Sequence, residues 1–221
     1  MSTQKSRDTA GVPEDGPAPS RWEVFKHEWL IPLFWAGILA IFIRSFFVQA
    51  FRIPTGSMRP TLLEGDRILV WKLGYAEQLR PSIPGTNFFL FTLDLPAFWE
   101  PKRGDIIVFR YPEDPKKDYV KRLIAFGGEE VEIREGKVIV NGTTLEQPQR
   151  VARTFYYNRD DWPYGRSGQR FKVPGRHYFV LGDNSAHSSD SRFWGFVPEE
   201  NLLGKAVFIY WPIPRVRVVR N

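Results

Sequence analysis

Residues 105–142 read DIIVFRYPEDPKKDYVKRLIAFGGEEVEIREGKVIVNG, and their pattern decides the fold. Short runs rich in β-branched and aromatic residues, Asp105–Tyr111, Tyr119–Phe126, Glu130–Arg134 and Lys137–Val140, alternate with Gly, Pro and charge. Such runs read as strands. Glu135-Gly136 and Asn141-Gly142 are the dipeptides that tight hairpins favour. Working outward, Arg67–Trp71, His177–Leu181 and Lys205–Trp211 repeat the pattern, and no long 3.6-residue period appears after residue 52. The prediction is a mainly β body over 52–214. Residues 74–100 and 146–174 fit it poorly and are expected to be loops or an inserted lobe. The first of these holds Phe88-Phe89-Leu90-Phe91 and Phe98-Trp99, too apolar for an ordinary solvated loop. Core packing and contact with a bilayer surface both account for it.

The N-terminal part is different. Residues 1–21 are rich in Pro, Gly, Ser and charge, and 1–28 are expected to be a disordered tail. Composition then switches to an apolar stretch, 29–51, interrupted only by Arg44 and Gln49. As a helix it spans a hydrocarbon core of about 30 Å. Pro32 falls in the first turn, where it is tolerated, and Arg44 is placed to snorkel toward headgroups. A buried core helix and a cleavable signal peptide compete with this reading, the latter because Val48-Gln49-Ala50 offers small residues at a cleavage site. The long, mixed-charge stretch ahead of the apolar run argues against cleavage. A retained membrane anchor over 29–51 is the expectation. Basic residues on both sides leave its orientation undecided by charge. Residues 215–221, with Arg215, Arg217 and Arg220, are expected to trail as a basic tail.

The composition of the 221 residues, 43% hydrophobic and 25% charged, excludes wholesale disorder and collagen-like structure. Cysteine is absent, so a disulfide scaffold, a thiol nucleophile and Cys-ligated metal are excluded. Three histidines argue against a His-rich metal site. The net charge is +6, concentrated after residue 43. A basic body with 18 Phe, 8 Trp and 8 Tyr suits nucleic acid or an anionic membrane. The charges are scattered singly among apolar residues, which argues against nucleic acid.

Chemistry concentrates just after the apolar stretch. In Arg52-Ile53-Pro54-Thr55-Gly56-Ser57-Met58-Arg59-Pro60-Thr61-Leu62, Pro and Gly bracket one Ser on a bent backbone. A serine nucleophile needs a base. His187, in Gly182-Asp183-Asn184-Ser185-Ala186-His187-Ser188-Ser189-Asp190, lies near carboxylates and leaves a Ser-His-Asp triad open. Lys121 is the other candidate. Strand alternation puts it on the face of Tyr119 and Leu123, where desolvation would disfavour its charged form and suit it to act as a base.

IPTGSMRPTL, GDIIVFRYP, YVKRLIAFGG and GDNSAHSSDSRFWGFVP occur in this order behind an apolar anchor. Together they resemble bacterial type I signal peptidases, Ser–Lys endopeptidases of the leader-peptidase family, over about residues 30–212. The resemblance implies a β fold of two antiparallel-sheet lobes, with Ser57 as nucleophile and Lys121 as general base. It implies Ser188 as the residue orienting the lysine amine, and the Ser57 amide with the Thr55 hydroxyl as the oxyanion hole. Asp190 and Arg192 match an ion pair beneath the site. Ile53, Met58, Leu62 and Val120 would line the pockets for small substrate residues. The implied substrate is an exported preprotein cut after Ala-x-Ala. The implied setting is a single-pass anchor in the inner membrane, with membrane lipid as a partner and the catalytic domain on the outer face. No cofactor, metal or nucleic acid is implied. Ser185-Ala186 and His187 depart from the family's usual loop, so His187 is read as a loop residue. Two rivals are a non-catalytic, membrane-tethered β module and a self-cleaving Ser–Lys protease of the repressor type.

Overall fold

A computed structural model of the chain describes residues 20–75, 78–79, 93–94 and 99–220. The chain divides into two compact units, 1–41 and 42–221.

Helix begins at Arg21, eight residues ahead of the expected anchor boundary. Ser20 starts it: its Oγ accepts from the Glu23 amide while the Glu23 carboxylate accepts from the Ser20 amide, a reciprocal cap. An α-helix, α1 (Arg21–Phe25), runs through a π-helical turn (Lys26–Leu30) into α2 (Ile31–Phe46). Among the described residues, Arg21–Arg44 is the one helix long and apolar enough to cross a membrane, and none of it is buried. Its 24 residues are about 36 Å long. Helix stops at Phe46, short of the expected end at residue 51. β1 (Val48–Arg52) takes over because its backbone pairs with β2 (Arg67–Trp71), Val48 opposite Trp71 and Arg52 opposite Arg67.

Two short strands, β3 (Gln78–Leu79) and β4 (Leu93–Asp94), pair with each other. Phe88–Phe91 and Phe98 lie outside the described residues. Trp99 is half exposed and stacks on Trp71 with ring centroids 6.2 Å apart.

The body is antiparallel sheet. β5 (Ile106–Tyr111) and β6 (Asp114–Phe126) form a long hairpin. β7 (Glu130–Arg134), β8 (Lys137–Val140), β9 (Thr143–Thr144) and β10 (Arg170–Lys172) make a small second sheet in the order β10-β7-β8-β9. The chain then returns to the main sheet through β11 (His177–Leu181), β12 (Val197–Pro198), β13 (Leu202–Trp211) and β14 (Arg217–Val218). The main sheet runs β1-β2-β13-β5-β6-β11-β12, with β14 on β13. Two short helices, α3 (Gln149–Arg153) and α4 (Ser191–Trp194), complete the body.

β5 reads as a continuous apolar run because both its faces are covered. Ile106 and Val108 join one core cluster with Ile53, Met58 and Leu62, while Ile107 and Phe109 join another with Leu123 and Val180. A third cluster welds the second lobe to the main sheet through Ile124, Ala125, Phe179 and Leu181. Both predicted hairpin dipeptides form turns: φ is 52° and 74° at Glu135-Gly136, 50° and 77° at Asn141-Gly142. Two successive positive φ values are the type I′ geometry that matches strand twist. Residues 146–174 hold α3 and β10 and are otherwise irregular, yet not loose: Tyr156 is fully buried in the third cluster.

The C-terminal segment differs from the expected tail. Arg217 and Val218 pair with Ile209 and Phe208, Val219 is buried, and Arg215 is tied to Asp66 at 2.8 Å. Alternating Val216, Val218 and Val219 among the arginines gave the stretch enough strand character to add to an open edge.

Candidate active site

Ser57 occupies a single 3-10 turn, Gly56–Met58, that follows extended Thr55 (φ −133°, ψ 157°). Buried Met58 and Leu62 pin this turn into the core cluster beneath it. From the other side, the Asn184 amide donates to the Ser57 carbonyl at 3.0 Å, and Asn184 Nδ2 donates to the Gly56 carbonyl at 3.0 Å. The first amides of a helical turn have no partner within it, so the Ser57 N–H belongs to the group left for an outside acceptor.

β6 carries Lys121 to this turn. Its Nζ lies 2.8 Å from Ser57 Oγ and 3.1 Å from the Val120 carbonyl, above the Tyr119 ring at 5.4 Å. Residues 64 apart in the chain thus meet in a setting that leaves Lys121 only 4% exposed. Burial lowers the amine from its ordinary 10.5 to about 8, against the weaker opposing pull of Asp190 and Asp183. An amine so placed is neutral in about a tenth of molecules at pH 7, far more than an ordinary lysine, and that fraction can accept the hydroxyl proton.

Ser188 is buried nearby, but its Oγ has no hydrogen-bond partner among the described residues; the expected bond to the lysine amine is not made here. The hydroxyl rests against Gly182, where an added Cβ would lie 2.1 Å from it and 2.6 Å from the Ser57 carbonyl. Only a glycine lets these strands of chain approach so closely.

Beneath, Asp190 and Arg192 form a fully buried, bidentate pair at 2.8 and 2.9 Å. Every remaining valence is used. Asp190 accepts from the Gly182 amide and caps α4, while Arg192 donates to the Tyr157 and Ser185 carbonyls and to Ser185 Oγ. Ser185, where the chain departs from the resembled family's usual loop, serves as this acceptor.

A second buried pair has no counterpart in the sequence reading. Arg122 Nε and Nη2 donate to the two Asp183 oxygens at 2.7 Å each, and Nη1 donates to the Gly104 carbonyl at 2.7 Å. Thr61 Oγ1 also donates to Asp183, which ties the chain just past the nucleophile turn to this pair. The signal available was Arg122 itself, a charge in the middle of the apolar run YVKRLIAF, which demands a buried partner.

A cavity of about 270 Å³ opens at Ser57. Ile53, Met58 and Val120 line it together with Thr55 and Lys121; Leu62 does not, being packed in the core below. Asp118, exposed His187 and Ser189 complete the wall. Among the described residues, the long β6 leaves a free flank beside this cavity. β5 covers one edge from Asp114 to Arg122, but β11 covers the other only from Arg122 to Phe126. Among the described residues, no three His, Asp or Glu side chains gather as a metal-ligand cluster.

The chain is similar to known proteins over most of its length. The family model described as "Signal peptidase, peptidase S26" matches residues 26–211. A probable signal peptidase I-2 of Synechocystis sp. is 38% identical over 192 residues, covering 84% of this chain and 73% of its own. Signal peptidase I of Aquifex aeolicus is 34% identical, covering 82% and 83%. That of Leptolyngbya laminosa is 33% identical, covering 98% and 96%. With most of its length matched by the family model, the chain belongs to the signal peptidase family, peptidase S26.

Proposed function

We propose that this member of the family cleaves signal peptides from exported preproteins after Ala-x-Ala through a Ser57–Lys121 dyad. One observation carries the reading: an uncharged-capable amine sits 2.8 Å from the hydroxyl of a serine at the mouth of a cavity. Neutral Lys121 takes the Ser57 proton as Oγ bonds to the scissile carbonyl carbon, whose π electrons move onto oxygen. The Ser57 amide and the Thr55 hydroxyl donate to that oxyanion. Collapse of the intermediate breaks the C–N bond, and the Lys121 ammonium returns its proton to the departing amine. Water, deprotonated by the same lysine, then releases the acyl group and restores Ser57.

The substrate binds extended along the open flank of β6, with small side chains against Ile53, Met58 and Val120. Leu62 contributes from behind by holding Met58. The Asp190–Arg192 pair supports the loop that bears Ser188, the residue that the family resemblance assigns to orienting Lys121. Helix Arg21–Arg44 supports a single-pass anchor, with the catalytic body on the outer face of the inner membrane. Confinement there raises the effective concentration of a substrate whose own apolar segment lies in the bilayer.

The test is cleavage of a preprotein bearing Ala-x-Ala by detergent-solubilised chain, with the cut mapped by mass spectrometry. Wild type and His187→Ala are expected to cut after the final Ala, and Ser57→Ala to be inert. Cutting by Ser57→Ala would overturn the reading. Thr55→Val is expected to lower kcat about a hundredfold with little change in KM, since the hydroxyl meets charge that exists only in the transition state. An unchanged kcat would remove Thr55 from the oxyanion hole.

A further inference from the structure

A second cavity, of about 580 Å³, begins at Pro60 and Thr61, just past the nucleophile turn, and shares no residue with the first. Pro60 and Thr61 form one wall; Ile209 and β14, with Arg217 and Arg220, form the other. The four arginines of this neighbourhood are not equivalent. Arg59 is neutralised by Glu64 and Arg215 by Asp66. Arg217 spends one N–H on the Thr61 carbonyl at 2.7 Å. Among the described residues, neither Arg217 nor Arg220 has an acidic partner, and both are exposed on the cavity wall.

We infer that this cavity is a subsite for a carboxylate side chain in the first few residues of the mature segment, downstream of the scissile bond. The inference rests on the endopeptidase reading above. A substrate with its small residues in the cavity formed by Ile53, Met58 and Val120 crosses Ser57 and leaves along the turn toward Pro60 and Thr61. Thr61 is four residue steps along the chain from Ser57, which bounds the distance at about 14 Å. An extended peptide covers that in about four residues, so mature positions two to five reach the arginines. Guanidinium groups pair bidentately with carboxylates, and buried Val219 and Ile209 give the site a floor of low polarity that strengthens such a pair. An acidic side chain is therefore favoured there and a basic one repelled.

The experiment measures kcat/KM of the full chain in detergent on peptides spanning an Ala-x-Ala site. Mature positions two to five carry Asp and Glu, Ser and Gln, or Lys. Wild type is expected to prefer the acidic over the basic peptide about fivefold, the scale of a partly exposed ion pair, and the ratio is expected to shrink as salt is raised. Because Arg217 also holds the Thr61 carbonyl, the decisive variant is Arg220→Glu, expected to shift preference toward the basic peptide. Equal cutting of all peptides by wild type, or an acidic preference that survives Arg220→Glu, overturns the subsite and leaves the endopeptidase reading standing. If wild type cuts none of them, that reading falls and the subsite falls with it.

Discussion

Lys121→Met is expected to lower kcat on an Ala-x-Ala preprotein about ten-thousandfold while leaving the protein folded. The effect is at the upper end for loss of a positioned base, because no other basic group replaces the amine at Ser57 Oγ. Methionine matches the buried shape and brings no charge to desolvate, so stability should hold or rise. The wild-type pH profile carries the same information. Below about pH 8 the buried amine is an ammonium that donates to Ser57 and cannot accept from it. Kcat/KM should therefore climb with pH and level off above about 8. Stability responds over a higher window. Between about 8 and the ordinary 10.5, the unfolded chain holds a proton on Lys121 that the folded chain has lost. Folding in that window is favoured increasingly as pH rises, and the contribution is flat on either side. Denaturant titrations from pH 7 to 11 should show this rise in wild type and a smaller one in Lys121→Met, because burial also lowers the Lys72 amine to about 8 and it contributes over the same window. Activity retained by Lys121→Met, or abolished by His187→Ala instead, would assign the base elsewhere.

Much of this was legible because it depended on local pattern. Arg67–Trp71, Glu130–Arg134, Lys137–Val140 and His177–Leu181 are strands with the predicted ends. Each is a β-branched or aromatic run, and Asn141 and Gly182, residues depleted in strands, close two of them. Glu135-Gly136 and Asn141-Gly142 could be read outright, since a positive φ at two successive residues tolerates few other pairs. Ser20 and Glu23 also carried a local signal for the helix start, hidden by the Pro- and Gly-rich stretch before it. What could not be read depended on partners far along the chain. β1 looks like the end of an apolar helix until β2 is there to pair with it. The closing arginines look like a tail until Asp66, 149 residues away, meets Arg215. Leu62 and Ile53 are alike in sequence terms and share one core cluster, and only packing leaves Ile53 also on the cavity wall. For Ser57 and Lys121, composition left the base open between His and Lys; the fold brings Lys121 to 2.8 Å.

Asp183→Ala should be the most damaging substitution away from the dyad, and it should act on both stability and chemistry. Asp183 is 2% exposed and Arg122 1% exposed, so deletion strands a guanidinium that keeps only the Gly104 carbonyl. Breaking one side of such a pair costs about 3–5 kcal/mol, which lowers the melting temperature by about 10 °C in a protein of this size. The loss also frees Thr61, whose hydroxyl donates to Asp183 and restrains the chain past the nucleophile. A double variant, Arg122→Met with Asp183→Leu, should recover most of the stability, because two charges leave the interior together. It should not recover full activity, since Thr61 still lacks its acceptor. The pH profile separates this from simple loosening. Asp183 is one of the two charges that raise the Lys121 amine against desolvation. Without it the amine should titrate lower, and the ascending limb of kcat/KM should move below pH 8 in both variants. A limb that stays in place while stability falls would confine Asp183 to the scaffold; a limb that moves down would make its charge part of how the base is tuned.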